Sequence, residues 1–200
     1  GLLPANASWS GTISFEGETG NMETKNLIIR ETVFEDCEFF ARWETDPEVT
    51  RFLSYEDDRS YPEIVEEWIL DKQDPAKLQF TVVKKEIQQP IGRICISRMD
   101  PKSDSLDITK LYIAGEANRK VGFGKELMRE LLEYCFVFLH MERVTLDYYT
   151  GNKAAAALYE KMGFQSEGTA RNAAKKNGKY YDLHLMSMLR SEFFERVHDR

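Results

Sequence analysis

No run of apolar residues approaches the roughly 20 that a bilayer-spanning helix needs, and residues 1–21 have neither a basic start nor a compact apolar stretch. A soluble, cytoplasmic protein without membrane partners is the expectation. Cysteine is scarce: Cys37, Cys95 and Cys135 are far apart and lack the short paired spacings of a zinc site or disulfide framework. Reduced, packed thiols are expected. His140, His184 and His198 have no i, i+4 partner, so no metal is implied. Positive charge is in deficit, with 27 Lys and Arg against 34 Asp and Glu, and the net charge of −7 disfavours nucleic acid as a partner. Internal repeats and interdomain linkers are lacking too, and 200 residues suit one packed domain.

What is there divides at the start. Residues 1–24 read as a flexible tail, native or added, and residues 25–200 as a single domain; Met22 has the look of a natural start. Leu27 to Arg30 reads as a strand and Phe34 to Trp43 as a helix. Ser60-Tyr61-Pro62-Glu63 has the form of a capping box, with Ile64, Val65, Trp68 and Ile69 forming an apolar stripe behind it. Leu78–Val83 and Ile91–Ile96 predict an antiparallel hairpin, and Leu106–Ile113 a third strand. A long helix from about Gly122 to Leu139, a strand Val144–Tyr149, a helix Lys153–Met162 and two strands within residues 163–190 complete the pattern. The order β-α-α-β-β-β-α-β-α-β-β is that of a mixed α+β sheet with helices on its faces.

The segment from Tyr112 to Lys125 leads from a strand into a helix N-terminus, the geometry of an anion site. Unpaired first-turn N–H groups and the helix dipole favour negative charge there, and Gly122 and Gly124 let a diphosphate approach the main chain. Arg119, Lys120 and Lys125 add positive charge. The Gly-x-x-x-x-Gly-Lys-[Ser/Thr] spacing of a nucleotide phosphate loop does not start at Gly115 or Gly122, which removes the main support for a kinase. Further on, Asn152 suits an N-cap and Tyr159, seven residues later, shares its helical face. A phenol there can protonate a departing thiolate. A core aromatic at 159 and a purely capping Asn152 are the bland alternatives.

Arg119-x-x-Gly122-x-Gly124 after a strand resembles the coenzyme A diphosphate loop of the GNAT N-acetyltransferase superfamily, and Asn152, Leu158-Tyr159-Glu160 and Gly163-Phe164 match the family's next motif in order. The resemblance implies an α+β, GNAT-like fold: a mixed, mostly antiparallel twisted sheet flanked by helices, with splayed central strands forming the coenzyme cleft. It implies acetyl-CoA as acetyl donor, held by the main chain of Leu111, Tyr112 and Ile113, by Val121, Gly122, Phe123 and Gly124, and by Arg119, Lys120, Lys125 and Asn152. Tyr159 would be the general acid. A Lys-like acceptor amine is neutral in only about one molecule in 2,500 at pH 7, a handicap of about 4.6 kcal/mol. Asp107, near where many relatives carry a catalytic Glu, is a candidate base; an idle polar strand position is the alternative.

Between Arg30 and Asp74 fifteen acids face five bases, so the acidic excess of the chain sits in what the resemblance makes the acceptor side. A cationic acceptor is consistent with this, as is an ordinary solvated acidic face. Glu56-Asp57-Asp58 and Tyr180 or Tyr181 are candidates for the acceptor cleft, and Gly178 to Asp182 resembles two GNAT branches, the spermidine acetyltransferases and the RimJ/RimL-type acetylases of protein N-termini. The expected activity is acetyl transfer to a small cationic primary amine such as a polyamine, by direct attack in a ternary complex without a metal. RimJ/RimL-type acetylation and a non-catalytic acyl-CoA-binding module are the alternatives, and a homodimer or larger homo-oligomer is left open.

Overall fold

The computed structural model describes residues 22–51, 53, 59–119 and 121–199. In chain order the elements are β1 (Met22–Glu23), β2 (Leu27–Glu31), a 3-10 turn (Phe34–Asp36), α1 (Cys37–Trp43), α2 (Pro47–Thr50) and α3 (Tyr61–Lys72). Then come β3 (Leu78–Lys84), β4 (Gln89–Asp100), β5 (Ser105–Ile113), α4 (Glu116–Arg119) and α5 (Phe123–Glu133), which continues as a π turn (Tyr134–Phe138). β6 (Arg143–Tyr149), α6 (Lys153–Met162), β7 (Gln165–Lys176), β8 (Lys179–Leu189) and α7 (Arg190–His198) finish the domain.

The eight strands form one sheet in the order β1-β2-β3-β4-β5-β6-β8-β7. Every neighbouring pair is antiparallel except β5 with β6, which are parallel because α4 and α5 carry the chain back across the sheet. The mixed, mostly antiparallel sheet expected from the sequence is therefore the one observed. The sheet begins earlier than residue 25: Met22 pairs with Ile29 and is buried. The tail residues 1–21 lie outside the described residues. The long helix expected to Leu139 switches at Tyr134, where Leu139 N–H donates to the Tyr134 carbonyl (2.9 Å). α7 was not anticipated; Phe193 packs its ring on Phe136 of the π turn, 5.0 Å between centroids.

β3 shows why the sheet needs cover on both sides. Phe80 and Val82 enter the main core with Ile94, Ile96, Leu127, Met128 and Leu131, while Gln79 and Thr81 point the other way and are buried as well. α1 and α3 cover that second face with Cys37, Phe40 and Ile64. The capping box forms as predicted: Ser60 N–H donates to Glu63 Oε2 (2.7 Å) and Ser60 Oγ accepts from Glu63 N–H (3.4 Å). All three cysteines are free thiols and buried. Among the described residues no helix is long and apolar enough to cross a membrane, and no three His, Cys, Asp or Glu residues group as a metal site.

Candidate functional site

β5 and β6 pair only from Ser105↔Arg143 to Ile108↔Leu146. Beyond that point β5 stays with β4 as far as Ile113, and β6 stays with β8 as far as Tyr149, so the two strands part. The fork holds a cavity of about 350 Å³. Ala114 N–H donates to the Ile91 carbonyl (2.7 Å), and the alternation of an antiparallel ladder then turns the peptide groups of Leu111 and Ile113 away from β4, toward the fork. A hydrogen-bonding edge faces the cavity inside a continuous sheet. Gly92 lets β4 and β5 close on each other: a Cβ there would lie 2.5 Å from the Tyr112 carbonyl oxygen.

Of the residues singled out in the sequence, Leu111, Tyr112, Ile113, Arg119, Asn152 and Tyr159 all line this cavity. Val121, Gly122, Phe123, Gly124 and Lys125 lie outside its wall, next to Arg119, and Lys120 lies outside the described residues. Gly122 caps α5 at φ +84° with open space around the missing Cβ, as an anion-accepting turn requires. Gly124 abuts Leu158, bringing the start of α5 against the helix that carries Tyr159. Lys84 was missed: its Nζ donates to Asn118 Oδ1 (3.3 Å) and lies over the Phe123 ring. No sequence pattern links this end of β3 to the turn; only the sheet order does.

Asn152 caps α6, its Oδ1 accepting from Ala155 N–H (3.1 Å), while also facing the cavity. Tyr159 is 8% exposed and packs its ring against Tyr148 and Phe164. Burial, with Asp147 and Tyr148 beside it, pushes its hydroxyl up to about 12, so it holds its proton across the neutral range. No described residue shares a hydrogen bond with that hydroxyl.

Asp107 is not in the cavity wall. It sits where β5 and β6 are still paired, opposite Thr145, and accepts hydrogen bonds from Thr145 Oγ1 (2.8 Å) and Arg98. A bulge at Thr109, between the pairs Cys95↔Lys110 and Ile96↔Ile108, shifts the alternation of β5, so sequence spacing alone could not assign the face. The carboxylates that do line the cavity are Glu48 and, on a strand of the fork itself, Asp147 of β6.

Two acids of the acidic segment, Asp36 and Glu44, are buried inside the fold, while Glu31, Glu35, Glu38, Asp46, Glu48, Glu63 and Glu66 are exposed. Burial works against the charge of Asp36, yet Arg30 (2.7 and 2.9 Å), Val33 N–H (2.9 Å) and Thr81 (2.8 Å) hold its carboxyl below the usual range. Glu44 is fully buried and accepts from Arg93 (2.8 Å), Tyr112 (2.9 Å), Arg59 (3.0 Å) and Lys110 (3.0 Å). Glu67 joins the same network through Lys110 at 3.3 Å. Of the described acids in that segment, Glu48 alone lines the cavity. Glu56, Asp57 and Asp58 lie outside the described residues. On β8 Tyr181 stacks on Tyr149, centroids 4.9 Å apart, whereas Tyr180 is 60% exposed.

Residues 26–165 match the family model described as "Acetyltransferase (GNAT) domain". The chain is 24% identical over 176 residues to the uncharacterized N-acetyltransferase p20 of Bacillus licheniformis, spanning 85% of this chain and 96% of that one. It is 26% identical over 170 residues to the spermidine N(1)-acetyltransferase of Vibrio cholerae, again 85% and 96%. The crystal structure of spermidine N-acetyltransferase from Vibrio cholerae in complex with CoA and spermine superposes with a TM-score of 0.78, covering 86% of this chain and 99% of that one. At 24% identity that likeness shows the fold.

Proposed function

The chain belongs to the acetyltransferase (GNAT) family, and on that premise we propose that it moves the acetyl group of acetyl-CoA to a primary amine of a small cationic acceptor. The fork carries the reading: a cavity between two parted strands, with an exposed peptide edge on one side and a protonated phenol on the other. The diphosphate would rest on the main chain of Val121 to Gly124, with Arg119 and Lys125 supplying charge. The pantetheine arm would run along Leu111 to Ile113, adding a pseudo-strand to the unpaired edge of β5. This delivers the thioester to the narrow end of the fork, where Tyr159 can give its proton to the departing thiolate. Asn152 fixes the start of α6 and hence the position of Tyr159, two turns along.

A cationic acceptor is supported by the carboxylates of Glu48 and Asp147 in the cavity wall, and by the name of the Vibrio cholerae relative. The test is thiol release from acetyl-CoA with spermidine, spermine, aminoglycosides, amino acids and short peptides. Cationic small amines should react fastest. A preference for neutral or acidic amines would overturn the electrostatic argument. Preferred reaction of peptide N-termini would move the protein to the RimJ/RimL-type reading. Tyr159→Phe should lower turnover at least tenfold with acetyl-CoA affinity unchanged, measured by titration calorimetry; unaltered turnover would remove the acid role.

A further inference from the structure

Asp147 is the first residue of β6 beyond its last pair with β5, Leu146↔Ile108, and so stands at the vertex of the fork. Along β6, Val144 and Leu146 are buried in the core, so strand alternation places Tyr148 on their side and Asp147 with Tyr149 on the opposite side. Tyr148 faces Tyr159, centroids 5.7 Å apart. Tyr149 faces the connection after α2 and the β8 hairpin: its hydroxyl donates to the Leu53 carbonyl (3.2 Å) and its ring stacks on Tyr181. The phenol and the carboxylate therefore approach one cavity from its two sides.

Resting on the acetyl-transfer reading above, we infer that Asp147 is the catalytic base that takes the proton of the incoming ammonium. Its surroundings suit the task. Asp147 is solvent-accessible within a concave wall, and no described residue donates it a hydrogen bond, whereas Asp107 is tied to Thr145 and Arg98. Across the fork Lys110 lines the same cavity but is paired with Glu44 and Glu67. His184 of β8 stacks on Tyr148. Partial desolvation by the packed walls of the fork, reinforced by the like charge of Asp107 and opposed by Arg98, raises the carboxyl of Asp147 above its usual range, which narrows the gap to an amine.

The step balances as follows. An ammonium N–H bond breaks and its proton goes to Asp147; the freed nitrogen pair forms the N–C bond to the thioester carbonyl. Collapse of the tetrahedral adduct breaks C–S, and the thiolate takes the proton of Tyr159. The second nitrogen proton restores the phenol, and the first passes from Asp147 to water, so the products are the N-acetyl amine, the free thiol and one proton.

The experiment compares Asp147→Asn, Asp147→Glu and Asp107→Asn with the wild type in full pH profiles of kcat and kcat/KM. Acetyl-CoA affinity and thermal melting serve as checks on folding. Asp147→Asn should lower kcat at least fiftyfold, leave acetyl-CoA affinity unchanged and abolish the acidic limb of the profile; Asp147→Glu should retain that limb and part of the rate. Asp107→Asn should keep the limb. An Asp147→Asn enzyme with near wild-type kcat, an effect confined to KM, or a persisting acidic limb would overturn the base assignment while leaving acetyl transfer intact. A wild type that binds acetyl-CoA but acetylates no amine would instead overturn the proposed function and this inference with it. Should both Asp147 variants fail to fold, the wild-type profile still decides: absence of an acidic limb attributable to the enzyme refutes the base.

Discussion

Glu44→Ala removes a carboxylate that takes hydrogen bonds from Arg93 on β4, Lys110 and Tyr112 on β5, and Arg59 in the loop before α3. Arg93 has the most to lose. It is fully buried, its Nε already has no partner, and its remaining polar contacts to Gln79 (3.4 Å) and Glu67 (3.5 Å) are long. Stacking of its guanidinium on Phe40, 4.3 Å away, cannot replace an ionic partner. Breaking a buried pair from one side costs about 3–5 kcal/mol. For a domain of this size each kcal/mol moves the melting midpoint by about 2–4 °C, so a drop of about 6–20 °C is expected. Glu44→Gln keeps an acceptor oxygen and the volume, and should lose roughly half as much. Calorimetry or urea unfolding with an unchanged slope gives the comparison. A midpoint within about 2 °C of wild type for Glu44→Ala, or a larger loss for Gln than for Ala, would refute the view that this network holds α1 and α3 on the sheet.

Glu130 offers a pH test of opposite sign. Burial, and then the like charge of Glu133, push its carboxyl up to about 7, whereas in the unfolded chain it titrates near 4.3. Between those values the folded state binds the extra proton, so this group's contribution to stability falls as pH rises through the window. Glu130→Gln should therefore melt higher than wild type at pH 8, by on the order of 2 kcal/mol, with the gain shrinking toward pH 5; a pH-independent difference would contradict the assignment. Gly122→Ala places a Cβ at φ +84°. It should cost about 1 kcal/mol in stability and weaken acetyl-CoA binding roughly tenfold by crowding the first-turn donors. Unchanged affinity by titration calorimetry would remove that turn from the diphosphate site.

Much of this was legible along the chain because it depends on neighbours in sequence. Ser60 and Glu63 announce the start of α3, alternating apolar residues announce β3 and β6, and Asn152 with Tyr159 define one face of α6. The turn at Gly122 is equally local, since a left-handed glycine before a helix is a matter of backbone sterics. The acidic character of residues 30–74 was legible by counting, whereas which of those acids the fold buries was not. Glu44 is buried in ion pairs with Arg93 of β4 and Lys110 of β5, and partners 49 and 66 residues apart leave no short-range trace.

The carboxylate inferred to be the base shows the same division. The motifs in the sequence carried a family resemblance that implied two parted central strands, and the period of one helix put Asn152 and Tyr159 on a common face. Which acid faces the gap was decided by the bulge at Thr109, which shifts the alternation of β5, and by the residue at which pairing with β6 ends. Both are properties of strand register. Register is set by how whole faces of the sheet bury against α5 on one side and α1 and α3 on the other, a balance no stretch of chain contains by itself.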